Sequence, residues 1–206
     1  MSTDLYTHQA LPGSPGAPLL FLFHGTGGNE RQLLALGQDL LPGASLVSPR
    51  GDVSEMGAAR FFRRTGEGVY DMDDLARATE KMVAFVRAHA EGAGKVYGLG
   101  YSNGANILAS GLFAAPELFD AAVLMHPLIP FTPRINGSLA GKRILITAGR
   151  RDPICPPALT LRLDAYLREG GATVTLEWHD GGHELRPNEA AAAKQFLEST
   201  LTTVAS

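Results

Sequence analysis

Short apolar segments alternate along the chain with longer segments in which apolar residues recur every three or four positions. Six runs have the length of a strand and are bounded by Gly, Pro or Asp. They cover residues 19–23, 44–48, 95–99, 121–125, 143–147 and 173–178. Runs such as LLFLF and AAVLM are apolar at every position. This pattern is typical of strands that are covered on both faces of a parallel sheet.

Helices are predicted between and after these strands. The clearest covers residues 73–90, where the apolar side chains form one stripe and Asp71 or Asp73 can cap the start. Four others are predicted at residues 30–41, 103–114, 157–169 and 187–201. Strands that alternate with helices predict an α/β fold: a three-layer α/β/α sandwich around a mostly parallel sheet. We expect residues 1–206 to form one domain, with residues 11–18 leading from an edge strand.

Composition and charge exclude several classes of protein. With 45% hydrophobic and 19% charged residues, the chain has a globular rather than a disordered composition. A net charge of -3 gives no general attraction to nucleic acid or to an anionic membrane, so neither is an expected partner. The chain shows neither a secretory leader nor an apolar run long enough to span a bilayer. The expected location is therefore the cytoplasm, without stable membrane association.

Cysteine and histidine usage predicts neither a disulfide nor zinc. Cys155 is the single cysteine, so an intramolecular disulfide is excluded. The six histidines are scattered rather than paired at the spacing of metal ligands. We interpret Cys155 as a small packing residue.

The loop at residues 100–104 has the sequence GYSNG and joins a predicted strand to a predicted helix. In a parallel sheet, binding residues gather beyond the carboxyl ends of the strands. A G-x-S-x-G pattern in this context predicts a nucleophile elbow, with Ser102 exposed on a sharp turn. A nucleotide-binding turn is the alternative, but Gly98, Gly100 and Gly104 do not have the G-x-G-x-x-G spacing.

A serine nucleophile needs a base, and the base needs an acid that fixes its tautomer. Asp152 follows the strand at 143–147 and His183 follows the strand at 173–178, which gives the order Ser, Asp, His. We therefore predict Ser102, Asp152 and His183 as the catalytic residues. Alternatives remain open: Asp164 or Asp180 as the acid, and His179 as the base. His8 and His89 are expected at the surface, and His126 is expected in a loop or pocket.

The glycine-rich loop HGTGG at residues 24–28 follows the first predicted strand. Acyl transfer creates an oxyanion, which fixed backbone N–H groups stabilise by on the order of 3 kcal/mol for each donor. We assign the oxyanion hole to the N–H groups of Thr26 and Asn103. A phosphate-binding loop is the alternative, but the Lys-Ser or Lys-Thr pair of a P-loop does not follow.

With HGTGG, GYSNG, RRDPICPP and GGHEL in this order, the chain resembles the α/β-hydrolase superfamily. It is similar in particular to its carboxylesterase/phospholipase group, which includes small bacterial esterases and acyl-protein thioesterases. The resemblance implies a serine hydrolase of small-molecule carboxylic esters that needs neither a metal nor an organic cofactor. Acyl-protein thioesterase or lysophospholipase activity is the alternative, and a catalytically silent ligand-binding protein of the same fold is another. The intact Ser, Asp and His set argues against the silent protein.

Two segments are candidates for substrate contacts. In the resembling esterases an aromatic loop borders the pocket, so Phe61 and Phe62 either touch substrate or pack in the core. Residues 126–142 are too few for the helical cap that many α/β-hydrolases insert, and this segment carries Leu128, Ile129 and Phe131. We expect a short wall beside Ser102, although these three side chains could instead pack under the loop. The sequence gives no indication of oligomeric state.

Overall fold

The computed structural model describes residues 2–201, which form eleven strands and five α-helices. The strands are β1 (His8–Leu11), β2 (Leu19–Phe23), β3 (Ser45–Pro49), β4 (Val53–Glu55), β5 (Ala58–Arg60), β6 (Arg64–Gly66), β7 (Val69–Tyr70), β8 (Val96–Tyr101), β9 (Ala121–Met125), β10 (Arg143–Gly149) and β11 (Thr173–His179). The helices are α1 (Leu34–Leu40), α2 (Met72–Ala90), α3 (Asn103–Ala114), α4 (Pro157–Glu169) and α5 (Pro187–Leu201). None of these helices is both long and apolar enough to cross a membrane.

Seven strands form the central sheet, in the order β1-β3-β2-β8-β9-β10-β11. Only β1, at the edge, runs antiparallel to its neighbour; the other pairs are parallel. The mostly parallel sheet of the sequence prediction is confirmed. Parallel pairing aligns the strand ends, so that Phe23 lies opposite Gly100 and Tyr101 opposite Met125. The loops after β2, β8, β9, β10 and β11 consequently emerge at one edge.

The sheet is covered on both faces. Along β2, Phe21 and Phe23 pack in the apolar cluster that includes α2, α3 and α4. Leu20 and Leu22 point the other way, into the cluster that includes α1 and α5. Each such side chain contributes about 1.5–3 kcal/mol when it is fully buried. Burial on both sides explains why β2 is apolar at every position and gives the predicted three-layer sandwich.

Helix α1 is shorter than predicted, beginning at Leu34 rather than at residue 30. The Asn29 side chain accepts a hydrogen bond from the Arg31 N–H at 2.8 Å, and the Asn29 carbonyl accepts from the Gln32 N–H at 3.1 Å. These local bonds hold residues 29–33 in turns, since Asn offers the backbone an alternative to helical pairing. The turn directs Gln32 back toward the loop after β2.

Helix α2 follows its sequence pattern closely. Of the two candidate caps it is Asp71 that accepts a hydrogen bond, from the Asp74 N–H at 3.0 Å. The apolar stripe of α2 packs against the sheet and α3. Before it, residues 53–70 form two small antiparallel hairpins, β4–β5 and β6–β7, which the apolar pattern did not predict.

Candidate active site

Ser102 sits on the turn between β8 and α3 with φ 53° and ψ -117°, a conformation that costs a non-glycine residue about 1–3 kcal/mol. The turn is tight enough to require its flanking glycines. A Cβ on Gly104 would overlap the carbonyl of Phe23, and a Cβ on Gly100 would overlap the backbone of Gly104. This geometry presents the Ser102 hydroxyl at the edge of the sheet, as expected for a nucleophile elbow.

The structure brings Ser102, His183 and Asp152 together. His183 Nε2 lies 2.8 Å from Ser102 Oγ, and His183 Nδ1 lies 2.7 Å from Asp152 Oδ2. Asp152 follows β10 and is buried, whereas the His183 side chain, in the loop after β11, is 17% exposed. Each group hydrogen-bonds the next, which is the geometry that general-base activation of a hydroxyl requires.

The Asp152 carboxylate is surrounded by donors. Oδ1 accepts from the N–H groups of Ile154 (2.8 Å) and Cys155 (2.9 Å), and Oδ2 accepts from His183 and from His126 Nδ1 (2.9 Å). Burial by itself raises the pKa of Asp152, but these hydrogen bonds outweigh it and hold the pKa below its usual range. An ionised Asp152 only accepts hydrogen bonds, so the proton on His183 lies at Nδ1 and Nε2 is left to accept from Ser102.

Tyr101 holds the His183 loop from the side of β8. Its hydroxyl donates to the His183 carbonyl at 2.7 Å, and its ring lies 5.6 Å from the imidazole ring. Burial raises the pKa of Tyr101 to about 12, so the phenol keeps the proton that this bond needs. His183 is thus held both through its ring nitrogen and through its backbone.

The loop after β2 is anchored on both sides of Thr26. The Gly25 N–H donates to Gln32 Oε1 at 3.0 Å, and Arg60 Nη1 donates to the Thr26 hydroxyl at 2.6 Å. Within residues 2–201, neither the Thr26 N–H nor the Asn103 N–H donates a hydrogen bond to another protein group. Both predicted oxyanion donors are therefore free to bind an incoming oxygen.

His24 anchors the same loop from beneath. Its Nδ1 lies 2.7 Å from the Gly25 carbonyl, and the Gly51 N–H donates to its Nε2 at 2.9 Å. Burial lowers the pKa of His24. A neutral ring with its proton on Nδ1 satisfies both contacts, and it positions the glycines without reaching the serine.

Ser102 opens into a cleft of about 300 Å³. Its lining residues come from the loops at the sheet edge, from α3 and from residues 53–70, the hairpin segment. They are Thr26, Arg60, Arg64, Glu67, Tyr70, Tyr101, Ser102, Asn103, Asn106, Leu128, Ile154, Cys155 and His183. The two arginines are balanced by acids, since Glu55 pairs with both and Glu67 with Arg64. A larger groove of about 460 Å³, between α2 and residues 131–136, contains none of the three predicted catalytic residues.

The substrate contacts predicted from sequence need correction. Leu128 lines the cleft, but Phe61 and Phe62 are fully buried in the core and Ile129 is nearly so. Phe61 packs against Tyr6, Phe23 and His24, because the hairpin turns its ring inward. Phe131 faces the grooves beside α2 and α4 rather than Ser102. Of these predicted apolar contacts, the cleft contains Leu128.

The alternative acids and base lie away from Ser102. Asp164 is on α4 and pairs with Arg168, while Asp180 is largely exposed and pairs with Arg150. His179 is buried and faces Glu189 on α5, 3.2 Å away. These placements favour Asp152 and His183 over the alternatives.

Sequence reasoning missed a second group of buried polar residues beneath Ser102, His183 and Asp152. His126, expected in a loop or pocket, is fully buried between Asp152 and Glu189. Its position directly after β9 is the same strand-end signal that identified Ser102. Glu189 gave no such signal, because it lies in the first turn of a terminal helix. His8 and His89, expected at the surface, are partly buried and pack against Phe85, with ring centroids 5.4 and 4.3 Å from its ring.

Cys155 lies close enough to His183 to be tested as an alternative nucleophile. Its Sγ is 3.8 Å from His183 Nδ1, on the side of the ring that faces Asp152 rather than Ser102. Burial, followed by the Asp152 charge, raises the pKa of the thiol far above its usual value, so it stays protonated. We expect Cys155→Ala to keep turnover within a few-fold of wild type, measured as kcat on a p-nitrophenyl ester. A loss as deep as that caused by removing the Ser102 hydroxyl would contradict this interpretation.

Comparisons with known proteins agree with this fold. Over 187 residues the chain is 41% identical to "Putative hydrolase MhqD" of Bacillus subtilis (strain 168), covering 89% of this chain and 94% of that protein. The structure of protein Atu2452 of Agrobacterium tumefaciens C58, described as of unknown function, is 58% identical with a TM-score of 0.92, covering 97% of this chain and 99% of that one. A Bacillus cereus carboxylesterase is 39% identical with a TM-score of 0.91, over 95% and 94% of the two chains.

The mostly parallel sheet, the strained serine turn and the loops at one sheet edge define an α/β-hydrolase, which confirms the resemblance found in the sequence. Residues 50–203 match the Dienelactone hydrolase family, so the chain belongs to that family. It is a hydrolase with an esterase-like function.

Proposed function

We propose that the protein is a carboxylesterase that cleaves small carboxylic esters through Ser102, His183 and Asp152 and an acyl-enzyme intermediate. One observation carries the proposal. Ser102 Oγ, His183 and Asp152 form an unbroken series of hydrogen bonds of 2.8 and 2.7 Å that opens into a cleft. The esterase-like function of the family supports the same reaction.

In the first half of the reaction, Ser102 Oγ attacks the ester carbonyl while His183 Nε2 takes its proton. Asp152 stays ionised and stabilises the imidazolium through Nδ1. The carbonyl oxygen gains negative charge and accepts from the N–H groups of Thr26 and Asn103. When the tetrahedral intermediate collapses, His183 returns the proton to the leaving alcohol and an acyl-serine remains.

In the second half, water replaces the alcohol. His183 Nε2 takes a proton from the water as the water oxygen attacks the acyl-serine, and the same two N–H groups bind the second oxyanion. Collapse then releases the carboxylic acid and returns the proton to Ser102. Each group is used twice in the same position, so the sequence of steps requires no rearrangement of the site.

Residues 60 and 61 support the oxyanion donors from outside the triad. Arg60 holds the Thr26 side chain, and the Phe61 N–H donates to Asn103 Oδ1 at 2.8 Å. Two neighbouring residues of one hairpin segment thus fix both donor-bearing residues. This preorganisation matters because donors that are already in place need no reorganisation during the reaction.

Labelling with a fluorophosphonate probe and hydrolysis of p-nitrophenyl butyrate test the proposal together. We expect stoichiometric labelling at Ser102, located by peptide mass, and loss of hydrolysis in proportion to labelling. Cys155→Ala is the matched control and should label normally. A protein that remains unlabelled and inactive would be a silent binder of the same fold. A labelled protein with a strong preference for thioesters or lysophospholipids would assign it to one of those activities instead.

The acyl preference follows from the short wall and the small cleft. Residues 126–142 form no helix, and the cleft holds about 300 Å³. Each methylene gains about 0.8 kcal/mol only while it is buried, so chains that outgrow the cleft gain nothing. We expect kcat/KM to be highest for short or medium acyl chains across p-nitrophenyl esters from acetyl to palmitoyl. Faster cleavage of aggregated palmitoyl ester than of monomeric short esters would point to a lipase.

A further inference from the structure

His126 lies beneath the triad with both ring nitrogens on carboxylates. Nδ1 is 2.9 Å from Asp152 Oδ2, the oxygen that also accepts from His183, and Nε2 is 3.0 Å from Glu189 Oε1. All three groups are almost completely buried. An ionised carboxylate has no proton to donate, so both ring nitrogens must carry hydrogen. The geometry therefore describes an imidazolium clamped between two carboxylates.

The surrounding donors keep Glu189 ionised. Its Oε1 also accepts from the Thr147 hydroxyl at 2.6 Å, and its Oε2 accepts from the Arg186 N–H at 2.8 Å. The Gly181 N–H donates to His179 Nδ1 at 2.9 Å, which leaves the His179 proton on Nε2, 3.2 Å from Glu189 Oε2. His179 Nε2 also lies 3.4 Å from His126 Nε2, and because both nitrogens carry hydrogen, each proton points to an oxygen of Glu189.

We infer that His126 is a positioning residue of the esterase reaction: it remains an imidazolium throughout turnover, fixes Asp152 Oδ2 against His183, and limits how strongly His183 holds a proton. The inference rests on the proposed function. It adds a charge outside the triad that tunes the general base.

The net charge of the group formed by His126, its two carboxylates and His183 changes during the proposed reaction. The groups that face it are Asp152 after β10, Glu189 on α5, and His179 and His183 from the end of β11 and its loop. Cys155 also contacts its backbone, with Sγ 3.3 Å from the His126 carbonyl, and the Tyr101 ring lies 5.9 Å away. Two carboxylates and one imidazolium leave one negative charge while His183 is neutral. The cluster becomes neutral when His183 takes the serine proton.

The backbone and the proton affinities agree with this role. His126 has φ 51°, an uncommon conformation for a buried residue other than glycine, and the nucleophile Ser102 shares it. Burial lowers the pKa of His126, but the hydrogen bonds to Glu189 and Asp152 outweigh burial and raise it above its usual value. Burial raises the pKa of Glu189, yet its bonds from His126 and Thr147 bring it below the usual range.

A bound metal is the competing interpretation of this cluster. The ligating atoms of His126, His179 and Glu189 all lie within 4.8 Å of one another. A zinc ion there would require an unprotonated Nε2 on both rings. The hydrogen bonds above require a proton on the Nε2 atom of both rings. The two interpretations therefore differ in whether the Nε2 protons are present, which can be measured.

The direct test is ¹⁵N NMR of the histidine rings in the wild-type protein, with His126 assigned through its own backbone and Cβ. We expect both His126 ring nitrogens to be protonated at pH 7.5, where an ordinary histidine has lost one ring proton. A ring that has lost one proton at pH 7.5 would overturn the inference. Chelation with EDTA followed by ZnCl₂ should leave these signals unchanged. Loss of the Nε2 proton with stoichiometric zinc would assign a metal site instead.

The kinetic test is the pH profile of kcat/KM for His126→Asn. Asn tolerates positive φ and can keep a donor near Asp152, but it carries no charge. With the nearby positive charge removed, protonated His183 is better stabilised, so the acid limb should move to higher pH by about one unit. His179→Asn removes the other buried ring that contacts Glu189 and leaves the His126 charge in place. It should leave the acid limb at its wild-type position.

The two tests separate the inference from the proposed function. An active wild-type esterase whose acid limb is unchanged in His126→Asn would disprove the positioning role and leave the esterase proposal standing. A limb that moves equally in His179→Asn would show a structural effect only and would also disprove it. Wild-type protein that cleaves no ester would refute the proposed function, while the NMR measurement still decides whether His126 is charged. If His126→Asn does not fold, that measurement decides alone.

Discussion

Replacing Ser102 by alanine is expected to lower kcat for ester hydrolysis by about 10⁶ while leaving the fold intact. The proposed reaction has one nucleophile, Ser102 Oγ. The nearby Cys155 thiol stays protonated, and it lies beside His183 Nδ1 rather than beside Nε2. Alanine keeps a Cβ in the strained turn and removes only the oxygen. The measurement is kcat under saturating p-nitrophenyl butyrate, together with Tm.

Ser54→Ala serves as the matched control for this change. Ser54 is exposed on β4, outside the cleft, so the same substitution there should alter neither kcat nor Tm appreciably. If Ser102→Ala kept a tenth of wild-type turnover with a normal melting curve, another nucleophile would have to be responsible. Contaminating esterase is distinguished by the phosphonate probe, which should no longer label this variant.

The second large effect is expected for Asp152→Asn, with a loss of about 10⁴ in kcat. The Asn oxygen can still accept from the N–H groups of Ile154 and Cys155, which turns its NH₂ group toward His183 Nδ1 and His126 Nδ1. A donor at His183 Nδ1 favours the tautomer with its proton on Nε2. That tautomer cannot accept the Ser102 proton.

The same substitution should also reduce stability, because the charged His126 loses one of its two carboxylates. Glu189 still pairs with His126 in this variant, so the expected loss is that of an unsatisfied buried donor at His126 Nδ1, about 1–3 kcal/mol. Asp164→Asn is the control, since Asp164 forms an i,i+4 pair with the exposed Arg168 on α4, worth about 0.3–0.5 kcal/mol. Near-wild-type kcat in Asp152→Asn would exclude Asp152 as the acid of the triad.

Much of the sheet could be predicted from sequence because its central strands are buried on both faces. Uniformly apolar runs located β2 and β9 to the residue, and less regular apolar runs bounded by Gly, Pro or Asp located the other parallel strands within two residues. The hairpins at residues 53–70 were missed, since strands of two or three residues are too short to show a periodic pattern. The sequence signal for these hairpins was the glycine at each turn, Gly57 and Gly68, both of which have positive φ.

The candidate triad was accessible to sequence reasoning for a related reason. Strand ends meet at one edge, so chain order and strand-end position placed Ser102, Asp152 and His183 together before any distance was known. The Phe61 and Phe62 environments depend on how a hairpin folds back, which no local pattern specifies. Glu189 reaches His126 only because α5 packs beside β10 and β11, a tertiary contact with no counterpart in the local sequence.

Exchanging part of the hairpin segment between proteins of this fold is expected to transfer substrate selectivity. Residues 63–70 supply Arg64, Glu67 and Tyr70 to the cleft wall, where Arg64 donates to Glu67 and Tyr70 donates to the Leu128 carbonyl. Residues 60 and 61 instead hold the oxyanion loop and Asn103. A swapped segment that begins after residue 62 would therefore exchange these wall residues. It would leave in place the contacts of residues 60 and 61 with Thr26 and Asn103. One that begins earlier would replace selectivity and catalysis as a single unit.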